Sequence, residues 1–344
     1  MSIIVVALLD FGRGAGNSIH SLKAKRKMPN KLENVIRKTG KFTMGPLARP
    51  IIEIIGKLLD QKLDQRLTPL LKRVDTLDSN RRISQQILFQ QYQLFRKLEL
   101  PLPRLRDTGF RVYSQSDEDG LLLYVFSLIG MTNRICVDIA SGVPDGANST
   151  NLIRNWGFSG FLFEANEDKV REATWFFESP DTNVYPPKIT PGMVTAENVN
   201  DLLRSSGVAG EIDLFSLDMD GIDYWVWKAL HVIDPRVVVC EFTPVWDSNK
   251  SVTIPYDPEF TRPHANYWGA SLAAFVKLGN QKGYRLVGSN RYGYNAIFIR
   301  KGLGEDVLPE VSPDQCLNEF SAKKWKEKRF ADFPDTARYP WIEV

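Results

Sequence analysis

From about residue 105 onward the chain alternates short apolar runs, rich in β-branched and aromatic residues, with amphipathic segments of helix length. The runs are Ile135 to Ile139, Gly160 to Glu164, Asp213 to Asp218 and Val237 to Phe242. Such alternation predicts right-handed strand–helix–strand crossovers, hence an α/β fold with a mostly parallel, Rossmann-like sheet and helices on both faces. The last unit breaks the pattern. A helical segment from Gly269 to Lys282 leads into Tyr284 to Val287, a turn from Gly288 to Gly293, and Asn295 to Arg300, which predicts an antiparallel hairpin closing the sheet.

The residues before 105 have a different texture. Residues 1–45 mix Gly, Ser, Lys and Arg without period, as a flexible arm does. The first 50 residues hold ten Lys/Arg against Asp10 and Glu33, about +8, which leaves 34 basic against 39 acidic residues, about −5, for the rest. In the helical region 46–104, Leu63, Leu67, Leu70, Val74 and Leu77 form a heptad seam that loses phase at Arg81 and Ser84 and resumes with Ile83, Ile87, Leu94 and Leu98. Pro69 interrupts it, and Pro101 and Pro103 end it. This region is expected either to pack on its own domain or to self-associate into a homo-oligomer, and the basic arm to touch anionic lipid head groups at a membrane surface, or an acidic partner. The organisation read from the sequence is thus an arm (1–45), a helical region (46–104), an α/β domain (105–305) and a C-terminal extension (306–344).

Several classes are excluded at this level. The acidic balance after residue 50 argues against a nucleic-acid partner. Cys136, Cys240 and Cys316 lack metal-ligand spacing, and with only His20, His231 and His264 they build no standard zinc site. Cys136 and Cys240 fall in apolar runs and read as reduced core thiols, so a cytoplasmic location is expected. The opening run Ile3 to Leu9 lacks a basic stretch before it, and no 18-residue apolar segment occurs. Asn148-Ser149-Thr150 matches a glycosylation sequon but falls in a turn of the domain, and Lys323 to Arg329 reads as a solvated helix face.

In open parallel sheets ligands bind at the carboxyl ends of the strands, where the strand order reverses. The first strand ends in Asp138 and runs into the small-residue turn Ala140-Ser141-Gly142-Val143-Pro144-Asp145-Gly146; the second ends in Glu164, 26 residues after Asp138. A carboxylate at Glu164 suits a ribose diol. Two cofactors use this layout, a dinucleotide and S-adenosyl-L-methionine. The glycines do not follow GxGxxG, and Asp138 would oppose a pyrophosphate yet suits the cationic methionine end of S-adenosylmethionine. The alternative is that Asp138 caps the turn and Glu164 is a surface carboxylate. Further along, Asp218-Met219-Asp220-Gly221-Ile222-Asp223 and Glu241 lie on the same rim. Strand alternation is expected to put Asp218 and Asp220 on one face, as a base for a hydroxyl or, with Glu241, as ligands for a hard cation such as Mg²⁺. A long loop, Phe242 to Trp268, is rich in aromatic and proline residues and suits sugar rings; its His264 is a candidate base.

Tyr113-Ser114-Gln115-Ser116-Asp117-Glu118-Asp119-Gly120, Val137-Asp138-Ile139, Asp145-Gly146, Asn148 to Leu152, Gly157-Phe158-Ser159-Gly160 with Glu164, and Leu217 to Tyr224 together resemble the FkbM-type methyltransferase-like family, over about residues 108 to 305. The C-terminal stretch from Gly269 through Tyr284 to Phe298 is similar to that group as well. The resemblance implies a class I methyltransferase fold, S-adenosylmethionine as cofactor, and O-methylation of a glycan precursor or another small molecule. It also implies cofactor contacts from Gln115, Asp138, Ser141, Gly142, Gly146 and Glu164. A catalytically silent binding or scaffold module assembled through the N-terminal helices is the alternative reading.

Overall fold

A computed structural model describes residues 80–178, 185–329 and 338–344. The basic arm and the heptad seam at Leu63 to Leu77 lie outside the described residues. Helix α1 covers residues 80–97, and a 3₁₀ turn follows at Leu105–Asp107. The chain then runs α2 (Glu118–Ile129), β1 (Ile135–Ile139), α3 (Thr150–Trp156), β2 (Ser159–Glu164), α4 (Glu167–Glu178), β3 (Lys188–Pro191), α5 (Val199–Ser206) and β4 (Gly210–Leu217). It continues through α6 (Asp223–Ala229), β5 (Ile233–Glu241), β6 (Val252–Thr253), α7 (Leu272–Gln281), β7 (Tyr284–Ser289), β8 (Asn295–Arg300), α8 (Pro313–Leu317), α9 (Phe320–Arg329) and β9 (Ile342–Glu343).

Seven strands form one sheet in the order β3-β2-β1-β4-β5-β8-β7. All neighbours from β3 to β5 are parallel, and β8 runs antiparallel between β5 and β7. This is the mostly parallel sheet with a terminal antiparallel hairpin that the sequence predicts. The chain leaves β1 toward β2 and β3 and returns to place β4 on the other side of β1, so the order reverses between β1 and β4.

Alternation along the strands divides the core into two layers. Val238 and Cys240 of β5 join Phe215, Trp227 and Phe275 on one face. Val237 and Val239 join Leu121, Phe126 and Ile299 on the other. All three cysteines are buried free thiols. The amino end of α2 packs so closely that a Cβ on Gly120 would lie 2.3 Å from the Phe110 nitrogen, so only glycine fits. Helix α1 lies against this domain: Gln85 accepts hydrogen bonds from Asn151 and from the Trp156 indole, Phe89 packs on Trp156, and Tyr92 meets Tyr124 edge to face.

The 306–344 segment returns to the long loop. β9 pairs antiparallel with β6, the Val344 amide and carbonyl bond to Ser251, and Trp341 packs against Trp246 and Tyr267. Tyr339 stacks on Tyr267, whose hydroxyl donates to the Pro340 carbonyl. Among the described residues no helix is long and apolar enough to cross a membrane.

Candidate active site

β1 delivers Asp138 just before its carboxyl end, buried at 2% exposure. Its Oδ2 accepts from the Ser149 amide at 3.2 Å and the Ser149 hydroxyl at 2.6 Å. Burial pushes its pKa up, and the bonds from Ser149 and Ser216 oppose that. The turn that follows needs left-handed backbone at Ala140 (φ 57°) and Gly142 (φ 64°), a conformation glycine adopts freely and alanine does not. Ser141 is buried and its amide donates to the Phe163 carbonyl. Glu164, ending β2, accepts from the Gly142 amide at 2.8 Å and the Asn166 amide at 2.7 Å. Glu164 thus holds the small-residue turn at Gly142, and Asp138 holds Ser149 at the start of the helix after it. Nearby, Asn148 Oδ1 and Thr150 Oγ1 are buried without hydrogen-bond partners.

Gln115 reaches this turn through its loop. Asp119 Oδ2 gathers the amides of Val112, Tyr113 and Ser114 and the Ser114 hydroxyl, at 2.6 to 3.0 Å. Ser114 in turn bridges to Gly146, which sets the exposed Gln115 beside the end of the turn.

Across the switch point, β4 ends at Leu217, one residue before the carboxylate group. Strand alternation therefore does not bring Asp218 and Asp220 to one face, as the sequence pattern predicted. The turn does: Asp223 caps it by accepting from the amides of Met219 and Gly221, and Asp220 takes a left-handed φ of 59° that leaves its side chain 62% exposed. One carboxylate oxygen from each of Asp218, Asp220 and Glu241 lies within 4.8 Å of the others. Burial, with Asp223 adding to it, pushes the Asp218 pKa up to about 7, and burial beside Asp218 raises that of Glu241 well above its ordinary range. The Glu241 carboxyl is buried against Asp218 and Trp268.

The long loop supplies residues that periodicity does not reveal. Arg262 pairs with Asp220, and its guanidinium lies 4.8 Å from the Trp268 ring centre. His264 sits two residues on, half-buried, with Nδ1 accepting from the Asn266 amide, so the ring proton is on Nε2. Glu118 is fully buried, takes hydrogen bonds from Asn290 and Asn295, and adds its charge to the field at Asp218. It stands within the Asp117-Glu118-Asp119 run, where three adjacent acids read as helix-start residues. A groove of about 1170 Å³ is lined by Leu105, Gly288, Asn290 and Phe320; Asp218, Asp220 and Glu241 are not among its lining residues.

The sequence matches no protein-family model and no curated protein. Among solved structures, the chain is similar to the magnesium protoporphyrin IX methyltransferase ChlM of Synechocystis PCC 6803 with bound SAM, at 13% identity and TM-score 0.34, over 54% of this chain and 78% of that one. It is similar to the mitomycin 7-O-methyltransferase MmcR at 16% identity and TM-score 0.31, over 50% of each chain. A third likeness is to CalO1, a methyltransferase in calicheamicin biosynthesis, at 16% identity and TM-score 0.28, over 48% of each chain.

Proposed function

We propose that this chain is an S-adenosylmethionine-dependent O-methyltransferase of the FkbM type, acting on a hydroxyl of a glycan precursor or a related small molecule. One arrangement carries the reading: at the switch point, buried carboxylates from adjacent strand ends hold the small-residue turn and the start of the helix after it, and a second carboxylate group lies at the ends of β4 and β5. S-adenosylmethionine, when bound, supplies an electrophilic methyl on a sulfonium. Glu164 keeps lone pairs for a ribose diol after accepting its two amides. Asp138 gives the turn negative potential suited to a cation, and the unpartnered Asn148 and Thr150 oxygens offer further polar contacts.

On the acceptor side, Asp218 takes the hydroxyl proton. A base with pKa near neutrality is matched to that task and contributes about 10² to 10⁴ in rate, while positioning contributes more. Asp220 orients the acceptor with its partner Arg262, while His264 packs on Tyr339 and bonds the Asn266 amide, so it is assigned no part in the transfer. Asp218, Asp220 and Glu241 also form an all-oxygen set that would hold Mg²⁺, whose chemistry there would be to acidify the hydroxyl. A second reading, a catalytically silent scaffold on the same fold, is favoured by Asp138 and Glu164 both being satisfied within the protein.

Thermal unfolding with S-adenosylhomocysteine tests the assignment. Ligand should raise the midpoint, and Glu164→Ala should weaken binding about 10- to 100-fold while leaving the fold intact. No stabilisation at millimolar ligand favours the scaffold; stabilisation by NAD instead favours a dinucleotide enzyme.

A further inference from the structure

Two arginines from distant parts of the chain converge beside the carboxylates of β4 and β5. Arg262 belongs to the long loop, and Arg329 ends α9. Nη1 of Arg262 and Nη2 of Arg329 donate to one acceptor, the Ala265 carbonyl, at 3.5 and 3.3 Å. Nη2 of Arg262 pairs instead with Asp220, and its guanidinium lies over the Trp268 ring. Arg262 therefore stands between the acids and a second cation. Burial and the charge of Arg329 together lower its pKa, as two guanidiniums meeting away from water must.

The charges there do not balance. Asp220 answers Arg262, but among the described residues no carboxylate pairs with Arg329, whose side chain bonds only to Ala265. Glu327, the one acid of α9, is two positions away and on another face. Lys323, Lys324, Lys326 and Lys328 add to the positive field of that helix, and of these Lys326 meets Asp247. Most of the N–H donors of Arg329 are left for a ligand. A guanidinium fork matches carboxylate and phosphate oxygens in pairs, so two forks side by side suit an oxyanion.

We propose that Arg262 and Arg329 form an anion subsite that takes a carboxylate or phosphate group carried by the acceptor. The assignment of that anion to the acceptor rests on the methyl-transfer reading; the anion site itself does not. Because Arg262 also touches Asp220, an anion on the pair lies one guanidinium away from the carboxylates that meet the hydroxyl. The acceptor class narrows accordingly to an acidic one, a sugar acid or a sugar phosphate. The basic run Lys323 to Arg329 then has a part beyond that of a solvated face, since its field draws such a molecule in.

Calorimetric titration of the full chain at fixed ionic strength tests the proposal. The probes are glucuronate and glycerophosphate, with glucose and glycerol as their uncharged counterparts. The anions should bind at least about tenfold more tightly than the counterparts, and the tighter anion identifies the group. Arg329→Gln should weaken anion binding about tenfold or more, with circular dichroism and S-adenosylhomocysteine affinity unchanged, whereas Lys323→Gln on the same helix should bind as the wild type does. Should Arg329→Gln not fold, Arg329→Lys serves: it keeps the charge, loses the fork and should weaken binding in the same direction. Uncharged counterparts that bind as tightly as the anions, no binding of either anion, a folded Arg329 variant that binds like the wild type, or an equal loss in Lys323→Gln would overturn the subsite. Anion binding without S-adenosylhomocysteine binding would keep the subsite and remove the methyl-transfer reading; the reverse would do the opposite.

Discussion

Burial, with Asp223 beside it, raises the Asp218 pKa to about 7, and burial beside Asp218 raises that of Glu241 well above its ordinary range. On the proposed reading, in which Asp218 is the base, it works only when ionised. Turnover should therefore climb about tenfold per pH unit below pH 7 and level off above it. Asp218→Asn should remove that climb and lower the plateau by about 10² to 10⁴, with S-adenosylhomocysteine affinity retained. A pH profile of turnover for both proteins is the check; a variant that keeps the wild-type profile would remove Asp218 as the base. Asp119 is the opposite case, a carboxyl whose titration is read in stability. Burial raises its pKa from 3.8 to about 6 against four hydrogen bonds. The folded chain binds its proton more tightly than the unfolded one, so this group's contribution to stability falls as pH rises from about 4 to 6. Urea midpoints across that range should decline, and Asp119→Asn should flatten the slope. Asp138, Asp218, Glu164 and Glu241 were legible as a rim because each ends an apolar run, and parallel strands end on one edge. Arg262 was not, because a loop's path leaves no period in the sequence.

At the opposite edge of the sheet, β4 and β5 are joined by a buried ion pair between Asp213 and Arg236, 0% and 5% exposed. Asp213 also accepts the amides of Thr132, Asn133 and Arg134, which anchors the entry to β1. Asp213→Ala would strand the guanidinium without its partner, and should cost about 3 to 5 kcal/mol in urea unfolding. Arg236→Met leaves Asp213 with its three backbone donors and should cost less. Equal losses would show that the three backbone donors do not compensate Asp213 for the lost guanidinium. The same edge explains which elements the sequence displays. β1 and β8 match their apolar runs residue for residue because they lie inside the sheet and are buried on both faces. β3, Lys-Ile-Thr-Pro at the sheet's margin, has no such run, since an edge strand half-open to water needs none. The two-residue β9 pairs with β6, which also bridges to Ala270.

For the molecule as a whole, the wall facing the carboxylates is joined from distant parts of the chain. Tyr267 bonds to a carbonyl 73 positions later, and Ser251 to one 93 positions later. Hydrogen exchange should show Val252, Ile254 and Ile342 to Val344 opening together, at lower free energy than the amides of β4 and β5. Independent exchange of the two segments would show that the wall is no single unit. Contacts so far apart in sequence close only after the sheet has gathered their ends. The order of assembly is then fixed by connectivity: the turn between Asp138 and Glu164, made from one run of chain, takes shape early, and the wall built from the long loop and the C-terminal segment comes last. On the proposed reading, a chain caught short of the final step would hold a cofactor cradle with no room defined for what it modifies.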